Sequence, residues 1–266
     1  MLILERIDKP HSRYLVIELA NCLTGQCRSS QEKPWRNILW IPGQKQDLLK
    51  RIKDHKPLVS SVNRARNLMI GPVCAGKSSF FNFINSIFMG RMSHGRILRH
   101  QSHHTDCHEG KSLPFVLCDT MGLEEQTGAG LDIEDISSIL QGLIPDRYQF
   151  NPLASFHPDE QKSSRPSSLQ ERIHCVVFVI DATKISHMSS KPEDKLAAIR
   201  KKVNSLSVPQ IVLMTKVDEA CPLVEEDLQK VYVSSYIETK VQEVSSTGCS
   251  CVLCVTCERT TVRSLN

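Results

Sequence analysis

No apolar run in the sequence approaches the roughly 18 residues that a membrane-spanning helix requires, which excludes a transmembrane helix on length alone. The N-terminus also lacks a continuous apolar core, because charges interrupt the hydrophobic residues of MLILERIDKPHSRYLVIELAN and break the pattern of a secretory signal. Charge of one sign is scarce as well. With 33 Lys and Arg against 29 Asp and Glu, the net charge of +4 is too mild to point to nucleic acid or a membrane surface. The expectation is therefore a cytoplasmic protein with no nucleic-acid partner. A disordered composition is absent too: 40% hydrophobic and 23% charged residues are ordinary for a globular chain. At 266 residues the chain is long enough for one large α/β domain, or a domain with an appendage.

Cysteine, by contrast, is plentiful at 11 residues. Cys118 and Cys175 fall in apolar runs and Cys74 in a loop, as in a thiol-rich intracellular protein. Two groups raise a metal question: His103, His104, Cys107 and His108, then Cys249, Cys251, Cys254 and Cys257. Tetrahedral zinc usually draws its ligands from two separated pairs, whereas Cys251 to Val255 alternates like a buried strand. The histidines, with His100, read either as a solvated loop or as a source of a base near neutrality.

From residue 67 onward a unit repeats: short apolar run, polar loop, helical stretch. The runs Leu68 to Ile70, Phe115 to Cys118, Cys175 to Ile180 and Ile211 to Met214 are continuous rather than alternating, and each ends in a polar residue. Continuous runs suit parallel strands covered on both faces, in which ligands gather at the carboxyl ends. Upstream, Tyr14 to Leu19 is strand-like and residues 34 to 45 read as a packed extended arm. Gln46 to His55 places Leu48, Leu49 and Ile52 at helical spacing. The expected organisation is an N-terminal extension over 1–66, carrying that arm and short helix, and a P-loop domain over 67–266. Residues 145 to 171, with four prolines and five serines, read as a long surface insertion in that domain.

Three motifs stand at strand ends. Gly71-Pro-Val-Cys-Ala-Gly-Lys-Ser78 fits GxxxxGK(S/T) between an apolar run and the helix-like Ser79 to Met89. Its glycines permit a tight turn, and the amides of Cys74, Ala75, Gly76 and the residues through Ser79 can converge on a phosphate at a helix N-terminus. Lys77 would neutralise β/γ-phosphate charge and Ser78 would ligate Mg2+. Asp119-Thr-Met-Gly122 is a DxxG pattern, with Asp119 placed for Mg2+ and the Gly122 amide for a γ-phosphate oxygen. Thr215-Lys216-Val217-Asp218 matches (N/T)KxD: the Asp218 carboxylate can accept two bonds from the guanine edge, and the Lys216 stem can cover the purine face. Taken alone, DxxG and TKxD each read first as a turn, whereas the GxxxxGKS loop in its strand-to-helix context reads first as a phosphate cradle. In this order, each at a strand end, they point to an α/β P-loop NTPase of small-GTPase type that binds GTP or GDP with Mg2+. Asp218 at the base-reading position disfavours an ATPase or kinase.

The segments GPVCAGKSSFFNFINSIFMGR, LPFVLCDTMGL, PDRYQFNP, ERIHCVVFVIDA and VLMTKVD resemble the interferon-induced protein 44 family, including its 44-like members. The similarity covers roughly residues 34 to 253, and PDRYQFNP sets it apart from ordinary GTPases. The resemblance implies an interferon-inducible, mainly cytoplasmic, GTPase-like protein of antiviral or immune responses. It carries the nucleotide role to Gly71, Gly76, Lys77, Ser78, Asp119, Gly122, Thr215, Lys216 and Asp218. Where the family continues into a last strand and helix, this chain runs CVTCERTTVRSLN, an atypical or truncated ending.

Hydrolysis calls for further residues. Thr105 is the sole threonine between Ser79 and Asp119 and hence the only switch threonine available to bind Mg2+. Leu123, directly after Gly122, has an apolar side chain that cannot orient water, and Cys257 to Thr260 offers no persuasive guanine-contacting loop. Two readings follow: a GTP-binding protein with slow or no GTPase activity that engages unidentified protein partners, or a nucleotide-independent scaffold that keeps the fold.

Overall fold

A computed structural model of the chain describes residues 2–6, 15–19, 33–36, 44–57, 59–89, 113–124, 133–144, 168–187, 190–246 and 251–255. Thr105, the histidine cluster, the PDRYQFNP segment, Cys249 and Cys257 to Thr260 lie outside these residues, as does most of the 145 to 171 insertion.

Strands β1 (Leu2–Arg6) and β2 (Leu15–Leu19) pair antiparallel, a hairpin for which the sequence gives only the second strand. Helix α1 (Gln44–Lys53) follows, close to the expected 46–55. The main sheet comprises β3 (Ala65–Ile70), β4 (Phe115–Asp119), β5 (Cys175–Asp181), β6 (Gln210–Thr215) and β7 (Val252–Val255). Its order is β4-β3-β5-β6-β7, and all four pairings are parallel. Between the strands run α2 (Lys77–Met89), α3 (Ile133–Leu140), α4 (Ser190–Ser205) and α7 (Ser235–Ser246), with short α5 (Val217–Ala220) and α6 (Pro222–Glu226) after β6.

Both faces of the sheet are covered, which is why the strands are apolar throughout rather than alternating. On one face Met69, Leu117, Val177, Val179 and Leu213 pack with α2, which turns Phe80, Phe81, Ile84 and Phe88 inward, and with Leu48 and Ile52 of α1. On the other face Leu68, Val176, Phe178 and Val212 meet Ile136 and Leu140 of α3, Leu196, Ile199 and Val203 of α4, and Ile237 and Val241 of α7. The helices thus bury stripes at i, i+3/i+4, i+7 spacing, the pattern of a helix lying on a sheet.

The chain leaves β3 toward α2 on one face and leaves β5 toward α4 on the other. That divergence opens a crevice at the carboxyl ends of the two adjacent strands. This is an α/β P-loop fold, with a parallel sheet flanked by helices. The residues 33–36 reach the far side of the sheet: the Trp35 amide donates to the Tyr232 carbonyl at 2.8 Å, and Arg36 Nη2 donates to the Val252 carbonyl at 3.0 Å.

Candidate functional site

The crevice is lined by the loop that joins β3 to α2. Gly71 packs so tightly on β5 that a Cβ there would run into the Val179 carbonyl, so only glycine lets the loop cross the neighbouring strand. Cys74 adopts φ 63° and Gly76 φ 91°, the left-handed turns that curl the backbone around the start of α2. α2 begins at Lys77 rather than at Ser79, so Lys77 and Ser78 form its first turn, where the amide N–H groups lack intrahelical partners.

Lys77 is buried, and its Nζ donates to the carbonyls of Gly71 at 2.8 Å and Pro72 at 2.9 Å. Burial pulls its pKa below the ordinary lysine value, against opposing pulls from Asp119 and Cys74. Ser78 Oγ donates to Asp119 Oδ2 at 2.8 Å, bringing together the end of β4 and the first turn of α2. A hydroxyl and a carboxylate so joined form part of the hard-oxygen set that suits Mg2+.

After Asp119 the chain is zipped to the loop. Leu123 N donates to the Gly71 carbonyl at 3.0 Å, Val73 N donates to the Leu123 carbonyl at 3.3 Å, and Pro72 and Leu123 form a parallel bridge. Gly122 sits against Val73, where a Cβ would stand 2.7 Å from Val73 Cα and 2.9 Å from its nitrogen. The Leu123 side chain is buried in the core, facing away from the crevice chemistry. Thr120 Oγ1 donates to the Met69 carbonyl at 2.7 Å and fastens the same segment to β3.

The TKxD turn reaches the site from β6. Thr215 Oγ1 donates to the Ala75 carbonyl at 2.7 Å, with the Ile180 carbonyl at 3.1 Å as a second acceptor. Lys216 takes a left-handed conformation, φ 54° and ψ 36°, and precedes α5, whose first turn holds the half-buried Asp218. Lys216 Nζ lies 2.6 Å from Asp181 Oδ2 at the end of β5. Asp181 is an addition to the residues singled out from sequence, although its signal was there: it is the polar residue closing the run from Cys175 to Ile180. Gly71, Cys74, Ala75, Gly76, Lys77, Ser78, Asp119, Gly122, Thr215, Lys216 and Asp218 therefore gather at one end of the sheet, with Ser79 in the first turns of α2. Among the described residues no group of three or more His, Cys, Asp or Glu could hold a metal ion by themselves.

Comparison with known proteins adds lineage to this geometry. Interferon-induced protein 44-like from Homo sapiens is 37% identical over 207 residues, 74% of this chain and 46% of the relative. Interferon-induced protein 44 from Homo sapiens is 35% identical over 229 residues, 82% of this chain and 51% of the relative, and that from Mus musculus 32% over 245 residues, 87% and 56%. The chain is a homologue of the interferon-induced protein 44 proteins. It spans about half the length of the interferon-induced protein 44 relatives it matches. No protein-family model matches the sequence. Similar solved structures include the translation elongation factor SelB of Methanococcus maripaludis in complex with a GTP analogue, with TM-score 0.39 and 10% identity over 75% of this chain and 31% of that one. Another is the signal recognition particle receptor SRb with GDP and Mg from Chaetomium thermophilum, with TM-score 0.37 and 16% identity over 75% of this chain and 92% of that one.

Proposed function

We propose that this chain binds GTP and GDP with Mg2+ and uses nucleotide state to engage protein partners. The observation that carries this reading is the hydrogen bond from Thr215 to Ala75, which sets the TKxD turn directly against the phosphate loop. One end of the sheet then offers a cradle of amides with Lys77 for phosphates, the Ser78–Asp119 pair for Mg2+, and Asp218 for the guanine edge. Mg2+, when bound there, would neutralise phosphate charge. Thr105 completes the metal set in this reading.

Hydrolysis is slow or absent, because Leu123 has no polar atom to orient water and its backbone is engaged with the loop. Phosphate release stays at or below a slow intrinsic GTPase, about 10⁻³ to 10⁻² per second. Rapid turnover without a partner would show that another group activates water.

Titration of nucleotide-stripped protein with fluorescent GTP and ATP analogues, beside Lys77→Ala and Asp218→Asn, tests the reading. The unaltered chain prefers GTP; Lys77→Ala weakens both nucleotides and Asp218→Asn weakens GTP selectively. Equal weak binding by all three proteins would favour the nucleotide-independent scaffold. The names of the relatives support interferon-inducibility; the wider role in this reading is that of a cytoplasmic protein of immune and antiviral responses. Protein levels before and after interferon treatment of cells, with fractionation, check that role, and unchanged levels would remove it.

A further inference from the structure

Asp181 is nearly buried, at 4% exposure, yet it is an ionisable group at the rim of the crevice. Register pairs it with Thr215, so its carboxylate stands beside the start of the TKxD turn. Both of its oxygens are engaged. Oδ1 accepts from the Thr183 amide at 3.0 Å and the Thr183 hydroxyl at 2.6 Å, and Oδ2 accepts from Lys216 Nζ at 2.6 Å. Thr183 thus fixes the direction of the carboxylate, and the carboxylate fixes the tip of Lys216.

The other end of Lys216 is fixed as well. Its backbone is held in the left-handed region, which a residue bearing a Cβ enters only at a cost, and Thr215 before it is tied to the phosphate loop. A lysine stem is ordinarily a flexible chain of four methylenes with many rotamers open to it. Here it is tethered at both ends and bridges the carboxyl ends of β5 and β6.

We propose that Asp181 is a positioning residue for a purine base, holding the Lys216 stem as a preformed apolar floor and neutralising its charge. This rests on the nucleotide reading above, which it deepens. A floor ordered before binding spares the ligand the cost of ordering it, and that saving appears as affinity. The floor touches the flat face shared by all purines, so Asp181 raises affinity for guanine and adenine nucleotides together and leaves the choice between them to Asp218.

The test is equilibrium titration of the full chain with fluorescent GDP and ADP analogues, using Asp181→Asn, Lys216→Ala and the double variant, with a melting curve for each. Asp181→Asn binds both analogues about tenfold more weakly, as loss of one charge-assisted contact implies. The double variant binds no more weakly than Lys216→Ala alone, since Asp181 acts only through that lysine. Thr183→Ala, at an exposed position where folding is not at stake, weakens binding about threefold by the same route. Additive losses in the double variant, or unchanged affinity in both Asp181→Asn and Thr183→Ala, would overturn the proposal while leaving nucleotide binding intact. Failure of the unaltered chain to bind either analogue would instead overturn the nucleotide reading itself, and this inference with it.

Discussion

At the scale of single residues, two glycines are dictated by neighbours rather than by turn chemistry. Adding a methyl at Gly71 meets the backbone carbonyl of Val179, and at Gly122 it meets the backbone of Val73. Backbone atoms cannot swing aside as a flexible side chain would, so Gly122→Ala costs about 1–3 kcal/mol, the usual range for overpacking. Urea denaturation checks the figure; an unchanged midpoint would mean that the Asp119-to-Leu123 segment detaches readily from the loop. His174 is a second residue whose role is set by contacts. Its Nδ1 accepts from the Arg66 amide at 2.9 Å, which requires an unprotonated nitrogen. Burial lowers its pKa below 6.5, the Arg66 charge lowers it further, and a hydrogen bond with the Leu169 backbone offsets part of the shift. The unfolded chain therefore binds the proton more readily. Stability from this group is complete above about pH 6.5 and is lost as pH falls through the lower folded value. Melting temperatures at pH 7.5 and 5.5 fall less in His174→Asn, whose amide oxygen can still accept from Arg66, than in the unaltered chain.

At the scale of elements, the helix α1 and the bridge between Pro72 and Leu123 matter most. The spacing of Leu48, Leu49 and Ile52 announces an amphipathic helix, but not which face of the sheet it covers. In the structure it shares a face with α2, and Ile52 is fully buried. Ile52→Ala is expected to destabilise the whole chain by about 2–5 kcal/mol, the range for a large aliphatic truncated in a core. A two-state urea transition shifted by less than 1 kcal/mol would mean that α1 is an appendage. Leu123 shows the opposite balance. Its apolar side chain is legible as unable to orient water, whereas its backbone pairing with the loop between β3 and α2 is not, because hydrogen bonds between residues some fifty positions apart leave no trace in local pattern.

At the scale of the whole molecule, the order β4-β3-β5-β6-β7 explains why motifs scattered from Gly71 to Asp218 meet at one place. Parallel strands present all their carboxyl ends on one side, and the opposite exits of α2 and α4 leave a crevice there. The apolar runs gave four of these five strands directly, and the fifth as the alternating stretch around Cys251. Their adjacency came from packing. The hairpin strand β1 is not legible locally, because only Leu2 to Leu4 are apolar before Glu5 and Arg6, too short a run to mark a strand on its own.

The sequence by itself determined the glycine-rich loop between β3 and α2, the aspartates of the DxxG and TKxD motifs and the parallel α/β class, because glycine spacing and continuous apolar runs are local consequences of backbone geometry and of burial on two faces. Only the tertiary structure decided that Asp181 meets Lys216, that Thr215 is tied to Ala75 and that an upstream helix closes the face of the sheet. Those contacts join residues far apart in the chain, and their partners are chosen by strand order and packing, which no single segment encodes.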